Sequence, residues 1–204
     1  MIRAGGVFLT AYRVTKRAWA KSFSLLASGG FHSFGAKSVL QPPVRLSGER
    51  QIAVGDGVFV GSGSWLQVLT NDARVRVRIG SGTSIVGGCT LSAAESIVVG
   101  ERVLMARNVY IADHMHAFDD PLKAVLDQGV NRVAAVEIGD GAWLGQNVVV
   151  GPGVRIGRGA VVGANSIVLH DVPDRCVAVG APARVVRELD TDSAEPAATA
   201  ESAG

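Results

Sequence analysis

The chain has 204 residues, of which 48% are hydrophobic and 19% charged, so its composition is that of a globular protein and excludes a largely disordered chain. This length suits one domain with a substantial core, and the net charge of +2 gives no indication of nucleic-acid binding. Two cysteines are too few for the disulfide framework of a small secreted protein. No apolar run is long enough to span a bilayer, and the first residues lack a signal-peptide profile. We therefore predict a cytoplasmic protein.

The N-terminal segment, residues 1–48, contains seven basic residues and no acidic one. Residues 7–27 have helical spacing, with apolar side chains along one side and basic side chains opposite them: Phe8, Tyr12, Trp19, Phe23 and Leu26 against Arg13, Arg17 and Lys21. This pattern has two interpretations. The helix could cap the open edge of the fold that follows, or it could rest on an anionic membrane surface, at the inner face of the membrane.

A six-residue repeat follows, in which an aliphatic residue precedes a glycine or small residue and four variable positions. Earlier blocks start at Val54, Ile79 and Val99. The longest block starts at Ile138 and keeps its phase through six units: IGDGAW, LGQNVV, VGPGVR, IGRGAV, VGANSI and VLHDVP. One unit gives a short strand and a turn, too small to bury a core alone.

Three such units make one triangular coil of about 18 residues, and stacked coils bury the aliphatic positions in a continuous core. We expect the small second residue to form the tight corner, because glycine tolerates positive φ. A period of six does not keep one helical face aligned, which excludes helix here. We therefore predict an all-β domain over residues 49–189, built of stacked coils.

Residues 113–136, DHMHAFDDPLKAVLDQGVNRVAAV, interrupt the repeat between two phased blocks. They are predicted to project as a loop, and long loops on rigid scaffolds commonly carry function. The tail at 190–204 is acidic and rich in small residues, so we predict that it is disordered.

The repeat, the DHMHAFDDP segment and the closing VAVGAPARVVREL together resemble the hexapeptide-repeat acyltransferases. The resemblance covers 50–189 and is greatest to sugar and polysaccharide O-acetyltransferases, such as galactoside, maltose, capsule and exopolysaccharide acetyltransferases. It implies a left-handed parallel β-helix with a short N-terminal helical cap and a projecting loop. It also implies a homotrimer that transfers an acyl group from acetyl-CoA, or another acyl-CoA, to a sugar or glycan hydroxyl without a metal.

The resemblance implies that His114 is the catalytic base, since the family's histidine stands at the root of the loop. A hydroxyl is a poor nucleophile at neutral pH, and an imidazole can take its proton during attack and return it to the leaving thiolate. Gln146 occupies the family's oxyanion position and could act through its side chain or its backbone N–H. The His114 ring also needs a hydrogen-bond acceptor to fix its tautomer, and relatives often use an acid from the preceding coil. The nearest match in this chain falls at Ala94 or Glu95, which makes Glu95 the candidate, whereas Asp113 would need unusual geometry.

The remaining site residues are also carried over from the resemblance. Cofactor contacts fall at Trp143, Gln146 and Ala164 for the pantetheine arm, at Arg184 and Arg187 for the phosphates, and at His170, where relatives commonly carry lysine. Asp113, His116 and Trp143 are predicted to contact the acceptor substrate. For His116 a substrate contact, a metal pair with His114 and a plain surface position all stay open.

Two other classes of protein contain this repeat. A non-catalytic scaffold would keep the hexads but lose the loop histidine and the terminal arginines, which this chain retains. A γ-type carbonic anhydrase would bind zinc through three histidines from adjacent subunits, whereas this loop offers only a His-x-His pair with no third histidine in phase.

Overall fold

The computed structural model describes residues 4–189, and the tail predicted to be disordered lies outside this range. The described chain begins with one long helix and continues as a stack of very short strands. The helix predicted over 7–27 is present and begins slightly earlier than predicted.

The helix α1 spans Ala4–Ala27, and 3-10 turns occupy Ser28–Gly30, Glu49–Gln51 and Val125–Asp127. The strands, in chain order, are β1 (Ser33–Phe34), β2 (Val39–Leu40), β3 (Arg45–Ser47), β4 (Ile52–Val54), β5 (Phe59–Val60), β6 (Trp65–Val68), β7 (Val77–Ile79), β8 (Ser84–Ile85), β9 (Thr90–Ala93), β10 (Ile97–Val99), β11 (Leu104–Met105), β12 (Tyr110–Ala112), β13 (Met115–His116), β14 (Val130–Asn131), β15 (Val136–Ile138), β16 (Trp143–Leu144), β17 (Val149–Val150), β18 (Arg155–Ile156), β19 (Val161–Val162), β20 (Ile167–Val168), β21 (Cys176–Gly180) and β22 (Ala183–Glu188).

Successive strands of the stack pass in turn through three parallel sheets, which form the sides of a triangular prism. Face A contains β1, β4, β7, β10, β15 and β18; face B contains β2, β5, β8, β11, β16, β19, β21 and β22; face C contains β3, β6, β9, β12, β17 and β20. Within these three faces all pairs are parallel except the β21–β22 pair on face B. The predicted left-handed parallel β-helix is confirmed.

The core is formed by two positions of each hexad. The first position is buried throughout the longest block, as predicted, at Ile138, Leu144, Val150, Ile156, Val162 and Val168. The fifth position is buried as well, at Ala142, Val148, Val154, Ala160, Ser166 and Val172. The variable positions of the repeat therefore include a second inward-facing side chain that the sequence pattern did not identify.

The role predicted for the glycine at the second position is wrong. Gly139 does not have positive φ, and its missing side chain matters because a Cβ there would lie 2.6 Å from the backbone nitrogen of Arg158 in the next coil. Positive φ occurs two residues later, at Gly141 (φ 67°), and in later hexads at Asn147 and Asn165 (φ 60° each). The second position is therefore restricted to small residues because the coils stack closely there. The fourth position favours glycine or asparagine because the turn requires positive φ.

Gly139→Ala is accordingly expected to destabilise the protein by about 1–3 kcal/mol or more, because all the atoms closest to the new methyl belong to the backbone. Gly29→Ala is the matched control, since a Cβ at Gly29 meets nothing within 4 Å. Chemical denaturation of the two variants measures the difference. Equal stability would show that the coils separate easily at this corner.

Each end of the prism is closed by a different element. At the N-terminal end, α1 packs only through its last two turns, where Ala20 and Ser24 are buried and Phe23 and Ala27 contact the core. The Ser24 hydroxyl accepts a 2.8 Å hydrogen bond from the backbone N–H of Leu40, on the edge strand β2. At the C-terminal end, β22 folds back antiparallel on β21.

The apolar stripe of residues 7–27 does not form the buried face that the cap interpretation requires. Of its five members only Phe23 packs against the core, while Phe8, Tyr12, Trp19 and Leu26 are exposed. The reason is geometric, because the side that meets β2 is occupied by the small residues Ala20 and Ser24, which allow the helix to approach the strand closely.

Candidate active site

The segment predicted to project leaves the prism after β12 and rejoins it at β15, at the edge between faces C and A. It contains its own antiparallel pair, in which Met115 pairs with Asn131 and His116 with Val130. The Gln128 side chain ties the loop together by accepting a hydrogen bond from the Asp120 N–H (3.1 Å) and donating to the Asp120 carbonyl (2.9 Å). The loop therefore has a defined conformation around its root.

Asp113, at the root of the loop, is completely buried. Its carboxylate accepts three backbone hydrogen bonds of 2.7 Å, from the N–H groups of Ala94, Glu95 and Ser96 in the preceding coil. The same carboxylate lies 2.9 Å from Nδ1 of His114. The substrate contact predicted for Asp113 is therefore wrong, because a carboxylate with this burial and these partners faces the protein interior.

These contacts assign the tautomer of His114. A carboxylate that already accepts three N–H groups acts as an acceptor, so the imidazole must donate from Nδ1, and Nε2 then carries the free lone pair. Among residues 4–189, Nε2 has no hydrogen-bond partner. The ring is 8% exposed and is held in one orientation.

Glu95 does not orient His114 in this structure. Its carboxylate faces the other way and pairs with Arg76 at 3.3 Å and with Arg74 at 3.8 Å. The buried Arg76 also donates to the Glu95 carbonyl (3.0 Å) and hydrogen-bonds Asp72, where it lowers the pKa of that carboxyl to about 2. Glu95 thus serves the site through its backbone, since these ion pairs fix the turn that binds Asp113.

A cleft of about 310 Å³ opens beside the His114 ring, at the edge between faces C and A. His116, on the exposed strand β13, lines the same cleft, so the structure brings the two loop histidines together. The lining also includes Tyr110, Pro152 and Leu169, which the sequence reasoning missed. Tyr110 was detectable as an aromatic residue at the last position of the hexad MARNVY, three residues before the loop, in a chain with few aromatics.

The residues predicted to bind the cofactor lie elsewhere on the prism. Trp143 is exposed on face B, in the row that continues through Val161 and Val177 to Arg187. Arg184 lies on the same strand as Arg187, and both side chains are exposed.

Gln146 and Ala164 occupy stacked turns at the edge between faces B and C, and the N–H of Asn165 donates to the Gln146 carbonyl (2.8 Å). His170 is the exception, because it lies at the edge between faces C and A, two coils beyond His114. Within one chain, face C therefore separates His114 from all the predicted cofactor residues except His170, because the others lie on face B or at its edge with face C. Across residues 4–189, no three His, Cys, Asp or Glu side chains converge as metal ligands would.

Comparison with known proteins links these features to one family. The model of the bacterial transferase hexapeptide family (six repeats) matches residues 135–170. A galactoside O-acetyltransferase of Lactococcus lactis is 33% identical over 161 residues, which are 77% of this chain and 73% of that protein. The putative lipopolysaccharide biosynthesis O-acetyl transferase WbbJ of Escherichia coli is 37% identical over 109 residues, 50% of this chain. The chain spans only about half (56%) of the length of that Escherichia coli relative.

Solved structures show the same fold. A hexapeptide-repeat acetyltransferase of Vibrio cholerae superposes with a TM-score of 0.58 at 26% identity, covering 84% of this chain and 81% of that one. The N-acyltransferase AntD of Bacillus cereus, in complex with dTDP and 3-hydroxybutyryl-CoA, gives a TM-score of 0.71 at 20% identity, covering 83% and 89%. At that identity the likeness to AntD concerns the fold alone.

Proposed function

Because the chain belongs to the bacterial hexapeptide-repeat transferases, we propose that it transfers an acyl group, in the first instance acetyl, from acyl-CoA to a hydroxyl of a sugar or glycan. The observation that carries the proposal is His114, whose Nδ1 is bonded to a buried carboxylate while its ring lines an open cleft. The O-acetyltransferase names of the two bacterial relatives support the same chemistry.

In the proposed mechanism, Nε2 of His114 takes the proton of the acceptor hydroxyl as its oxygen attacks the thioester carbonyl. Asp113 accepts the Nδ1–H throughout and stabilises the imidazolium that forms. The carbon–sulfur bond of the tetrahedral intermediate then breaks, and the imidazolium returns its proton to the thiolate of CoA. The acyl group passes directly to the acceptor, and no enzyme-bound ester is formed.

We propose that the site is shared between subunits of a homotrimer. His114 lies at the edge between faces C and A, and face C separates it from Trp143 on face B and from the turns that carry Gln146 and Ala164. One chain alone therefore does not bring these groups to the same acyl group. In the proposed C3 arrangement the His114 edge of one subunit meets the side of the next subunit that carries Trp143 and Gln146. Gln146 of that neighbour would then supply the oxyanion donor.

The cofactor would lie along this shared groove, with its phosphates near Arg184 and Arg187 and close to His170. His116 would contact the acceptor from the loop side of the cleft. We place the enzyme in the cytoplasm, at the inner face of a membrane, where acyl-CoA and growing glycans would both be available.

The proposal is tested by incubating the protein with acetyl-, succinyl- and octanoyl-CoA in the presence of candidate glycans. Release of the CoA thiol should accompany a matching increase in acceptor mass, and sedimentation should show a trimeric active species. A protein that binds glycans but releases no thiol with any acyl donor would instead be a scaffold. An active monomer would contradict the shared site.

Removing the two predicted phosphate ligands should weaken cofactor binding. Arg184→Ala combined with Arg187→Ala is expected to raise the KM for acyl-CoA roughly tenfold or more with a smaller change in kcat, because phosphate contacts are charge-assisted and equal in ground and transition states. Steady-state kinetics measures this change. Arg155→Ala, an exposed arginine on face A, is the control. An unchanged KM in the double variant would locate the phosphates elsewhere.

A further inference from the structure

The N-terminal helix α1 leaves an unusually apolar surface uncovered. Residues 5–19 are all exposed, so about four turns of this helix bury no side chain within residues 4–189. We define the outer face of α1 as the large apolar side chains that are 57–83% exposed: Val7, Phe8, Val14, Trp19, Leu25 and Leu26. Exposed apolar side chains that are contiguous on a surface mark a site of interaction with another protein or with a membrane.

Most of the outer face points away from the β-helix. The side that packs is defined by Ala20, Phe23, Ser24 and Ala27, which recur at the spacing of one helical face. At 100° per residue, Val7 falls roughly opposite this side and Phe8, Trp19 and Leu26 lie about a quarter turn or more from it. None of these four lines the two clefts between α1 and the β-helix, whereas Val14 and Leu25 lie at the rims of those clefts. The helix can therefore stay attached to β2 while its outer face contacts something else.

The charges on α1 all have the same sign. Arg13, Lys16, Arg17 and Lys21 line a cleft between the helix and the first strands of face B. Residues 1–48 contain no carboxylate, and within residues 4–189 none of these four side chains forms a salt bridge. The helix therefore presents uncompensated positive charge beside its apolar face.

We infer that the outer face of α1 binds the surface of an anionic lipid bilayer, with its apolar side chains among the acyl chains and its basic residues near the headgroup phosphates. An apolar face with aromatic residues and basic neighbours is the pattern of helices that lie in the membrane interface. No helix among residues 4–189 is long and apolar enough to cross a membrane, so α1 lies on the surface.

A lipid surface fits this helix better than a second copy of the chain. A bilayer with anionic lipids supplies an apolar interior and negative charge at the same boundary, which matches both sides of α1. Another copy of α1 would match the apolar side but would add four more unpaired cations. The inference depends on α1 alone and holds whichever acceptor the enzyme uses.

The test is co-sedimentation of the full-length protein with phosphatidylcholine vesicles that contain or lack phosphatidylglycerol, without acyl-CoA or acceptor. The protein should bind the anionic vesicles and should be released by high salt. Trp19→Glu combined with Leu26→Glu should weaken binding at least about tenfold, since each side chain would otherwise be buried in lipid. Lys16→Glu combined with Arg17→Glu should remove the preference for anionic vesicles.

Leu122→Glu is the matched control, because this loop leucine is 94% exposed and far from α1 in sequence. It should bind vesicles like the unmodified protein. Absence of binding to either vesicle, or equal loss in the Leu122→Glu variant, would overturn the inference. If the unmodified protein does not bind vesicles, and the double substitution Trp19→Glu with Leu26→Glu dissociates its oligomer, the outer face is instead a contact between copies of this chain.

Discussion

His114→Ala is expected to lower kcat by roughly 10²–10⁴, which is the usual contribution of a positioned general base. The substitution should leave the fold intact, because His114 stands at a loop root outside the stacked aliphatic core and its neighbour Asp113 keeps three backbone partners. Binding of acyl-CoA should also persist, since all the predicted cofactor residues except His170 lie on face B or at its edge with face C, away from His114.

His116→Ala is the matched control for this experiment. It lines the same cleft but is exposed on β13, and in the proposed role it only contacts the acceptor. Its substitution should appear mainly in the KM for the acceptor. Steady-state kinetics with both substrates separates the two cases, and a loss of turnover confined to His116→Ala would transfer the role of base to that residue.

Asp113→Asn is expected to lower kcat by about 10²-fold or more with little change in the KM for acyl-CoA. If the amide oxygen keeps the N–H groups of Glu95 and Ser96, the amide nitrogen must face Nδ1 of His114. A donor at that point forces the proton onto Nε2, so the ring can no longer act as a base, as in other enzymes where an Asp–His pair is broken in this way.

The state of the ring can be measured independently of activity. Nitrogen-15 chemical shifts of His114 should report a proton on Nδ1 in the unmodified protein and on Nε2 in the Asp113→Asn variant. Glu95→Gln is the comparison variant, because its side chain faces Arg76 and not the histidine, and Arg76 can still donate to the backbone carbonyl of residue 95. It should lose much less turnover than Asp113→Asn. A larger loss in Glu95→Gln than in Asp113→Asn would restore Glu95 as the orienting acid.

The period of the sequence was sufficient to predict stacked coils, whereas the left-handed direction of the winding was taken from the family resemblance. The first position of each hexad is aliphatic without exception over six units, and such a strict pattern has one simple explanation in stacked coils. The fifth position escaped notice because it is filled by alanine, valine or serine, a set that also occurs on surfaces. The reason for the second-position glycine also escaped, since it depends on the distance between coils and not on the local backbone.

The site was only partly predictable for a similar reason. His114 is marked by the motif around it, but the acid that orients it depends on the turn at residues 94–96, whose backbone N–H groups carry no signature in the sequence. The contribution of Arg76 was hidden too, because it acts on that turn through Glu95. The side of α1 that stays exposed is set by Ala20 and Ser24, the small residues that pack against β2. Hydrophobic spacing alone cannot show which side packs.

The elements that cover the two ends of the prism also limit how far β-helices can stack on one another. A β-helix has no intrinsic limit, because each coil presents the same unpaired backbone edge that the next coil requires. In this chain the hydroxyl of Ser24 binds the free N–H of Leu40 at one terminus, and β22 turns back on β21 at the other. Part of each terminal edge is thereby occupied from within the same chain. The arrangement opposes end-to-end stacking into filaments, and lateral contacts through the sides of the prism are left as the route to oligomers.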